Sequence, residues 1–458
     1  MLNDIDYRPY FDSPEDLARK VLNEYAKIET PSFPLNPFDI LDKFGIAFQF
    51  RDFKKLDGVY IVPESEDDIP IIGINNNRPI TRQRYSVCHE LCHHIKDRYL
   101  SNETNFTCEA NSKSPTEQFA EDFAGYLLMP TKELKKLADR YEENGYISFD
   151  NALYIADYFG VSFRSCIFTL AYRLNMIDGD VTYAKLEKRI TKYKPNKKRE
   201  ALGIPDYDIN LMKNIMNSYK EFIHRDEDIV WYKFKSEFIF NENRLEGIDI
   251  SEEEVAEIIT DLRLNKQDSE YCRSEYMNFI EVAGHASLID YIMQTSDKVS
   301  AFSILNLHKM LFQFAPFPEA AGGTRNTDNR VSNAKFEPVP HQNIVTEILK
   351  LDKKVQNVIE NVEFYSIAEY IAECVKIHHR ITTIHPFNDG NGRISRIFLN
   401  WLMRLKHLPP VYIKYKYKDS YYKALEVADT TNNFDELYLV FYKQVINSMI
   451  LLDKRYTI

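Results

Sequence analysis

The sequence is poor in the features that mark disulfide-rich, membrane-spanning and nucleic-acid-binding proteins. Its 458 residues include six cysteines, and none of them forms a Cys-x-x-Cys pair, so neither a disulfide framework nor a cysteine-rich zinc module is expected. No apolar run approaches the roughly 20 residues that a membrane-spanning helix needs. The net charge of −11 disfavours non-specific binding of nucleic acid by the chain as a whole.

Glycine is also scarce, with 14 residues, whereas tyrosine and phenylalanine number 30 and 29. Together with a hydrophobic content of 44%, this composition indicates well-buried cores and ordered, mostly helical structure. The length predicts about two to four domains. The N-terminus has no basic segment followed by an apolar run, so no signal peptide is expected, and the expected location is the cytoplasm.

The segment 385–396 combines an imidazole, an acid, two glycines and two arginines directly before a helical pattern. The glycines and the helix N-terminus form a site for anions, and Arg393 and Arg396 on one helical face suit a polyphosphate. Asp389 can hold a divalent metal, and His385 can accept a proton near neutral pH. The apolar residues at helical spacing are Ile394, Ile397, Phe398, Trp401, Leu402 and Leu405.

This segment resembles the Fic family signature, His-Pro-Phe-x-Asp-Gly-Asn-Gly-Arg-x-x-Arg, at every fixed position. Family members transfer the AMP part of ATP, or occasionally another nucleotide-linked phosphate moiety, to a target hydroxyl. The resemblance implies that His385 is the general base and that Asp389 is a ligand of Mg²⁺. Arg393 would reach the β-phosphate of ATP, and Arg396 the γ-phosphate. The loop backbone that would cradle the α- and β-phosphates comprises Gly390, Asn391 and Gly392.

A second pattern, His-Glu-x-x-His, begins at His89. On a helix, His89 and His93 face the same side, and Glu90 lies beside them as a carboxylate that can activate water. A third metal ligand is expected on another helix.

Three acids are candidates for this third ligand. Ser114 and Pro115 predict a helix start, with Glu117 at its third position. Along that helix Glu117 shares the inward face, Glu121 lies at its edge and Asp122 points away, so Glu117 is preferred. An alternative interpretation is that Glu117 only caps the helix and binds no metal.

The run 82–130 resembles the ImmA/IrrE family of zinc metallopeptidases in both of its motifs and in their order. By that resemblance, the Zn²⁺ ligands are His89, His93 and Glu117, and the general base is Glu90. Cys88 and Cys92 depart from the usual Ala and Gly of this family. The favoured interpretation is that the two cysteines are small buried hydrophobic residues, and the alternative is a redox-sensitive zinc site.

Glu246 and Gly247 match the end of the (Ser/Thr)-x-x-x-Glu-(Gly/Asn) pattern of the inhibitory helix found in Fic proteins, with Glu242 in place of the hydroxyl residue. A glutamate that pairs with Arg396 would remove this arginine from the γ-phosphate, so that ATP binds unproductively. Glu246 is therefore predicted to be a regulatory residue. The alternative is an ordinary surface glutamate before a glycine C-cap.

The expected fold is multidomain, with an α+β zincin-like domain over 1–182 and a linker over 183–208. An all-α Fic helical bundle over 209–458 follows, with a β-hairpin flap within 304–345. Short strands are expected near 46–50, 58–62 and 69–74.

The leading prediction is AMP transfer from ATP to a Ser, Thr or Tyr hydroxyl of a target protein, with a second, zinc peptidase activity on another protein substrate. One alternative is a regulatory zinc metalloprotease whose Fic domain senses nucleotide, and another is a stress or toxin–antitoxin module in which the N-terminal half binds a partner. Neither a membrane nor a nucleic acid is an expected partner. The sequence leaves open whether the chain forms a homo-oligomer.

Overall fold

The structure is a computed structural model. It describes residues 5–63, 68–97, 105–109, 114–204, 208–218, 227–264, 277–315, 321–331 and 335–452. The chain divides into two compact units, Met1–Ser218 and Tyr219–Ile458. No described helix has the length and apolar character needed to cross a membrane.

The first unit combines a small sheet with a set of helices. Its strands are β1 (Ala47–Arg51), β2 (Leu56–Ile61), β3 (Ile71–Asn75) and β4 (Asn105–Glu109). Its helices are α1 (Pro14–Tyr25), α2 (Pro37–Phe44), α3 (Ile80–Lys96), α4 (Pro115–Leu128), α5 (Thr131–Tyr141), α6 (Phe149–Phe159), α7 (Phe163–Tyr172), α8 (Tyr183–Tyr193), α9 (Pro195–Ala201) and α10 (Asp208–Ser218), with a 3-10 turn at Arg8–Tyr10.

The sheet has the strand order β1-β3-β2-β4. β1 pairs in parallel with β3, whereas β2 is antiparallel to both β3 and β4. The three predicted strands are present, and β4 is an addition that the sequence analysis did not predict. The unit is therefore of mixed α and β structure, while its zincin-like character stays a prediction.

Two helices of this unit carry the predicted metal ligands. α3 packs against β2 and α4, and its buried residues include both histidines of the His-Glu-x-x-His pattern. α4 begins as predicted, because the Ser114 hydroxyl accepts a hydrogen bond from the Glu117 backbone N–H at 3.2 Å, with Pro115 in the first turn. α4 packs against α3, and its first turn places Glu117 beside His89.

The boundary between the units falls between Ser218 and Tyr219. The range predicted as a linker, 183–208, contains α8 and α9. The functional domain boundaries, 1–182 and 209–458, stay predictions.

All the regular secondary structure in the described residues of the second unit is helical. Its helices are α11 (Glu227–Leu245), α12 (Glu252–Arg263), α13 (Met277–Gln294), α14 (Ser303–Leu311), α15 (Ile344–Glu360), α16 (Ile367–Ile384), α17 (Asn391–Leu405), α18 (Lys418–Thr431) and α19 (Asp435–Leu452), with 3-10 turns at His341–Asn343 and Tyr415–Tyr417. These described residues form no strand, and within the predicted flap range residues 316–320 and 332–334 lie outside the described part of the chain, so the β-hairpin is not confirmed.

The signature segment joins two buried helices. α16 begins with a complete capping box between Ser366 and Glu369. It ends at His385, which has a left-handed backbone conformation with φ 51°. α17 then begins after Gly390, which also has a positive φ of 79°. Since α17 is buried along most of its length, packing fixes the position of the loop between the helices.

Candidate nucleotide site and candidate metal site

The backbone of His385 is held on both sides. Its N–H donates to the Ile381 carbonyl at 3.0 Å, and its carbonyl accepts from Arg325 Nε at 2.8 Å. The Arg325 N–H also donates to the Pro386 carbonyl at 2.9 Å, and its guanidinium donates to the carbonyls of Thr327 and Val339. Arg325 therefore fixes the left-handed residue, and the sequence analysis assigned it no role.

The imidazole of His385 is half-buried. Burial lowers the pKa of His385, which favours the neutral ring near pH 7. A neutral imidazole can accept a proton, as a general base must.

The middle of the loop is organised by Asn391. Its side-chain oxygen accepts from the Phe387 N–H at 2.9 Å, and its amide donates to the Phe387 carbonyl at 2.8 Å. The Phe387 ring stacks on His308 with ring centroids 3.9 Å apart. His308 Nδ1 accepts from the Gly322 N–H at 2.8 Å, so its Nε2–H donates to the Asp389 carbonyl at 3.2 Å. His308 was also missed by the sequence analysis.

Asp389 projects from this loop with 73% of its side chain exposed. Its carboxylate accepts from the Gly390 N–H at 2.6 Å and from Arg393 Nη2 at 2.9 Å. Arg393 itself is buried, and its Nη1 donates to Glu281 on α13 at 2.6 Å. The exposed carboxylate thus lies beside a buried cation, where a metal–phosphate complex could contact both.

Arg396 contacts two acids of the second unit. Its Nε lies 2.9 and 2.7 Å from the two carboxylate oxygens of Glu242, and its Nη2 lies 2.6 Å from Glu246 Oε1. A Cβ placed at Gly392 would lie 2.9 Å from Arg396 Nη1 and 3.1 Å from Glu246 Oε1. The absence of a side chain at Gly392 therefore lets Glu246 and Arg396 reach the first turn of α17.

The two glutamates differ in their exposure. The Glu242 side chain is fully buried, and burial raises its pKa to about 7 against the opposing charge of Arg396. Glu246 is 27% exposed. Because Arg396 is only 4% exposed, both acids act on a guanidinium that is nearly removed from water.

In the first unit, three of the predicted residues form a compact group of donor atoms. His89 Nε2 lies 3.1 Å from Glu117 Oε2 and 3.1 Å from His93 Nε2. The three ligand atoms lie within 4.8 Å of one another, and this is the only such metal-binding group among the described residues. Glu121 and Asp122 do not belong to it. The Asp97 carboxylate accepts a hydrogen bond from the other ring nitrogen of His93, Nδ1, at 2.7 Å. Carboxylates commonly make this contact with histidines that bind a metal through their second nitrogen.

The surroundings of Glu90 are consistent with a cation bound by His89, His93 and Glu117. The Glu90 side chain is buried, and its carboxylate has no side-chain hydrogen-bond partner among the described residues. It lies against β2, since a Cβ at Gly58 would be 2.9 Å from Glu90 Oε1. Burial and the charge of Glu117 raise the pKa of Glu90. An imidazole–imidazole–carboxylate donor set beside a buried, unpaired acid fits Zn²⁺.

The two cysteines beside these ligands are buried thiols. Burial raises the pKa of Cys88 to about 12 and also raises that of Cys92. Thiolates are therefore disfavoured at both positions, which supports the interpretation as small hydrophobic residues.

Two families match the chain. Residues 41–174 match the Peptidase M78 family, described as an IrrE N-terminal-like domain, and residues 298–403 match the Fic/DOC family. Glu242, Glu246 and Glu281 precede the second match.

Curated relatives include protein adenylyltransferase fic-1 of Caenorhabditis elegans, which is 30% identical over 137 residues, covering 29% of this chain and 25% of that protein. Protein adenylyltransferase Fic of Nematostella vectensis is 27% identical over 158 residues, with coverages of 32% and 34%. The chain thus spans about a quarter to a third of the length of these relatives.

Among solved structures, Fic-1 (residues 134–508) of C. elegans has a TM-score of 0.43 and 18% identity, covering 69% of this chain and 90% of that one. A Fic-domain signaling protein from Bacteroides thetaiotaomicron has a TM-score of 0.42 and 20% identity, with coverages of 53% and 94%. Both resemblances inferred from the sequence are confirmed by the family matches. The chain thus contains a segment, residues 41–174, that matches an IrrE N-terminal-like domain, and a second segment, residues 298–403, that matches the Fic/DOC family.

Proposed function

We propose that the second unit transfers AMP from ATP to a Ser, Thr or Tyr hydroxyl of a protein. The observation that carries this proposal is the arrangement at the start of α17. Two buried guanidiniums, Arg393 and Arg396, share a helix N-terminus with an exposed acid, Asp389, and follow a neutral, half-buried imidazole, His385. This combination provides charge for a polyphosphate and a base for an incoming hydroxyl.

In the proposed reaction, His385 accepts the proton of the target hydroxyl. The hydroxyl oxygen then bonds to the α-phosphorus, the α–β phosphoanhydride bond breaks, and pyrophosphate leaves. The backbone of Gly390, Asn391 and Gly392 would bind the α- and β-phosphates through its N–H groups. Arg393 would bind the β-phosphate, and Arg396 the γ-phosphate. Mg²⁺ bound with ATP would neutralise phosphate charge, and Asp389 would hold it.

Glu246 is proposed to inhibit this reaction from within the chain. Its carboxylate accepts a hydrogen bond from Arg396 Nη2 and lies beside Gly392. A γ-phosphate would need the guanidinium at this same place. An anion already occupies that position, so ATP would bind without this contact.

The test is the transfer of label from α-³²P-ATP with Mg²⁺, followed by intact-mass analysis for added AMP. His385→Asn is compared with His407→Asn, because both histidines have a positive φ near a helix end and asparagine tolerates that conformation. Both substitutions are made in the Glu246→Gly background, from which the inhibitory acid is absent. We expect His385→Asn to abolish labelling and His407→Asn to retain it. Equal labelling in the two variants would refute the assignment of the base.

A second activity is proposed for the first unit, as a zinc peptidase, because His89, His93 and Glu117 converge beside Glu90. These three residues would hold Zn²⁺, which would act as a Lewis acid towards a peptide carbonyl. Glu90 would take a proton from the attacking water and pass it to the leaving amine. In the alternative interpretation, the protein is a regulatory zinc metalloprotease, in which the first unit performs the main activity and the second unit senses nucleotide.

This second proposal is tested by the zinc content of the purified full chain. His93→Gln should lose zinc, whereas His94→Gln should keep it, because His94 is bonded to Tyr60 at 2.9 Å and is not part of the ligand group. Glu90→Gln should keep zinc and lose hydrolysis of a quenched-fluorescent peptide library. Zinc binding that is indifferent to His93 would contradict the proposed site.

A further inference from the structure

We propose that Glu242 is a positioning residue that keeps Arg396 directed at the nucleotide, while Glu246 is the acid that leaves. This inference rests on the proposed function of the second unit and adds a residue to it. The two glutamates contact the same guanidinium, yet their surroundings give them opposite roles.

Glu242 holds the inner edge of the guanidinium. Both of its oxygens lie within hydrogen-bond distance of Arg396 Nε, at 2.9 and 2.7 Å. Nε is the nitrogen nearest the side-chain stem, so this contact leaves the outer nitrogens, Nη1 and Nη2, directed elsewhere. Nη1 lies 2.9 Å from where a Cβ at Gly392 would be. The outer edge of Arg396 therefore faces the N-terminal turn of α17, where phosphate is proposed to bind.

Glu242 is not free to leave this position. It lies inside α11, its side chain has no exposed surface, and its carbonyl accepts the Glu246 N–H at 3.2 Å. Moving its carboxylate into water would require α11 to separate from the helices it packs against, α12 and α13. Such a separation would leave Arg396, itself 4% exposed, as a buried charge without this partner.

Glu246 has the opposite properties. It lies one residue beyond the end of α11 at Leu245, is 27% exposed, and contacts Arg396 through one oxygen. The next residue, Gly247, has a φ of 87° and ends the helical run. A side-chain rotation can therefore carry the Glu246 carboxylate into solvent without moving α11.

The charges explain why two acids are useful. With both glutamates in place, one guanidinium faces two carboxylates. A γ-phosphate oxygen that replaces Glu246 exchanges one anion for another at Nη2, while Glu242 keeps Nε satisfied. Because Glu242 holds Nε of the Arg396 guanidinium, Arg396 stays in place when the Glu246 side chain moves away. A hydroxyl residue, which the inhibitory-helix pattern has at this position, could not supply this charge.

The experiment compares the affinities for ATP and ADP by calorimetry in the full chain at pH 8.5, where Glu242 carries its charge because burial raises its pKa only to about 7. The background is Glu246→Gly, in which Arg396 is available to the γ-phosphate, and Glu242→Gln or Glu242→Thr is added to it. Gln keeps the shape of the side chain and removes its charge, whereas Thr restores the hydroxyl of the pattern. ADP lacks the phosphate that Arg396 would contact, so it reports any general damage to the site.

We expect the added substitutions to weaken ATP binding about tenfold, with Thr at least as severe as Gln, and to change ADP binding less than about twofold. Equal weakening for both nucleotides would reduce Glu242 to a structural residue and overturn the proposal. So would a single Glu242→Gln variant that raises AMP transfer as Glu246→Gly does, because Glu242 would then be a second inhibitory acid.

The outcome is separable from that of the proposed function. If Glu246→Gly shows no transfer that depends on His385, the transferase assignment fails, and the comparison of ATP with ADP still decides whether Glu242 positions Arg396 on the nucleotide. If transfer is present and the two affinities respond alike, the transferase assignment survives and the role of Glu242 fails.

Discussion

Removing the Glu246 carboxylate should activate AMP transfer. The perturbation is Glu246→Gly, with Glu246→Gln as a milder version that keeps the side-chain length and one oxygen acceptor. The interaction removed is one charge-assisted hydrogen bond of 2.6 Å to Arg396 Nη2, at a guanidinium that is 4% exposed. Hydrogen bonds to charged groups contribute about 1.5–3 kcal/mol, and the partial exposure of Glu246 favours the lower part of that range.

A free-energy difference of about 1.4 kcal/mol corresponds to a factor of ten. We therefore expect Glu246→Gly to raise the rate of AMP transfer by about ten- to thirtyfold, and Glu246→Gln to raise it less. Arg396 keeps its bond to Glu242 in both variants, so its position should be retained.

The assay is incorporation of label from α-³²P-ATP at a fixed ATP concentration, with intact mass as a second readout. Glu253→Gln is the control, because Glu253 is an exposed acid in the first turn of α12 and its substitution makes the same change in net charge. Label that is unchanged or lower in Glu246→Gly would refute the inhibitory role. An equal rise in Glu253→Gln would attribute the effect to charge in general.

Three further predictions concern pH, the catalytic loop and the metal. Burial raises the pKa of the Glu242 carboxyl from 4.5 to about 7, so the folded state binds the carboxyl proton more tightly than the unfolded state does. The stability that this protonated carboxyl contributes is therefore present below pH 4.5 and is lost as the pH rises through 7. From pH 5 to pH 8, the free energy of unfolding of the wild type should thus fall by about 2–3 kcal/mol relative to that of Glu242→Gln. Denaturant unfolding at the two pH values measures this, and a difference between the two proteins that does not change with pH would contradict the prediction. Arg325→Gln should lower the rate of transfer at least tenfold with little change in ADP affinity, because it releases the backbone carbonyl of His385, and unchanged turnover would remove Arg325 from the site. Removal of zinc by a zinc-selective chelator in excess Mg²⁺ should abolish peptide hydrolysis and leave AMP transfer intact, and parallel loss of both activities would show that the two sites are not independent.

Features that depend only on residues close together along the chain could be predicted from the sequence. The signature residues from His385 to Arg396 adjoin one another along the chain, so the glycine turn and the helix that follows fix their relative positions. His89 and His93 share a helical face for the same reason. Glu117 followed from the N-cap at Ser114 and from helical spacing.

Other features depend on residues far apart in the chain, and no local pattern marks them. The sequence identified Glu242 only as a departure from a motif, yet tertiary packing makes it a fully buried partner of Arg396 across 154 positions. Glu281 reaches Arg393 across 112 positions, and Arg325 reaches His385 across 60. The pairing of β4 with β2 likewise joins segments that are separated along the chain by β3 and the long helix α3.

The sequence by itself determined which chemical groups are present and which neighbours along the chain share a face, because backbone geometry repeats over a few residues. Only the tertiary structure decided which acid meets which arginine and how much water remains between them, because burial and ion pairing depend on which helices pack together.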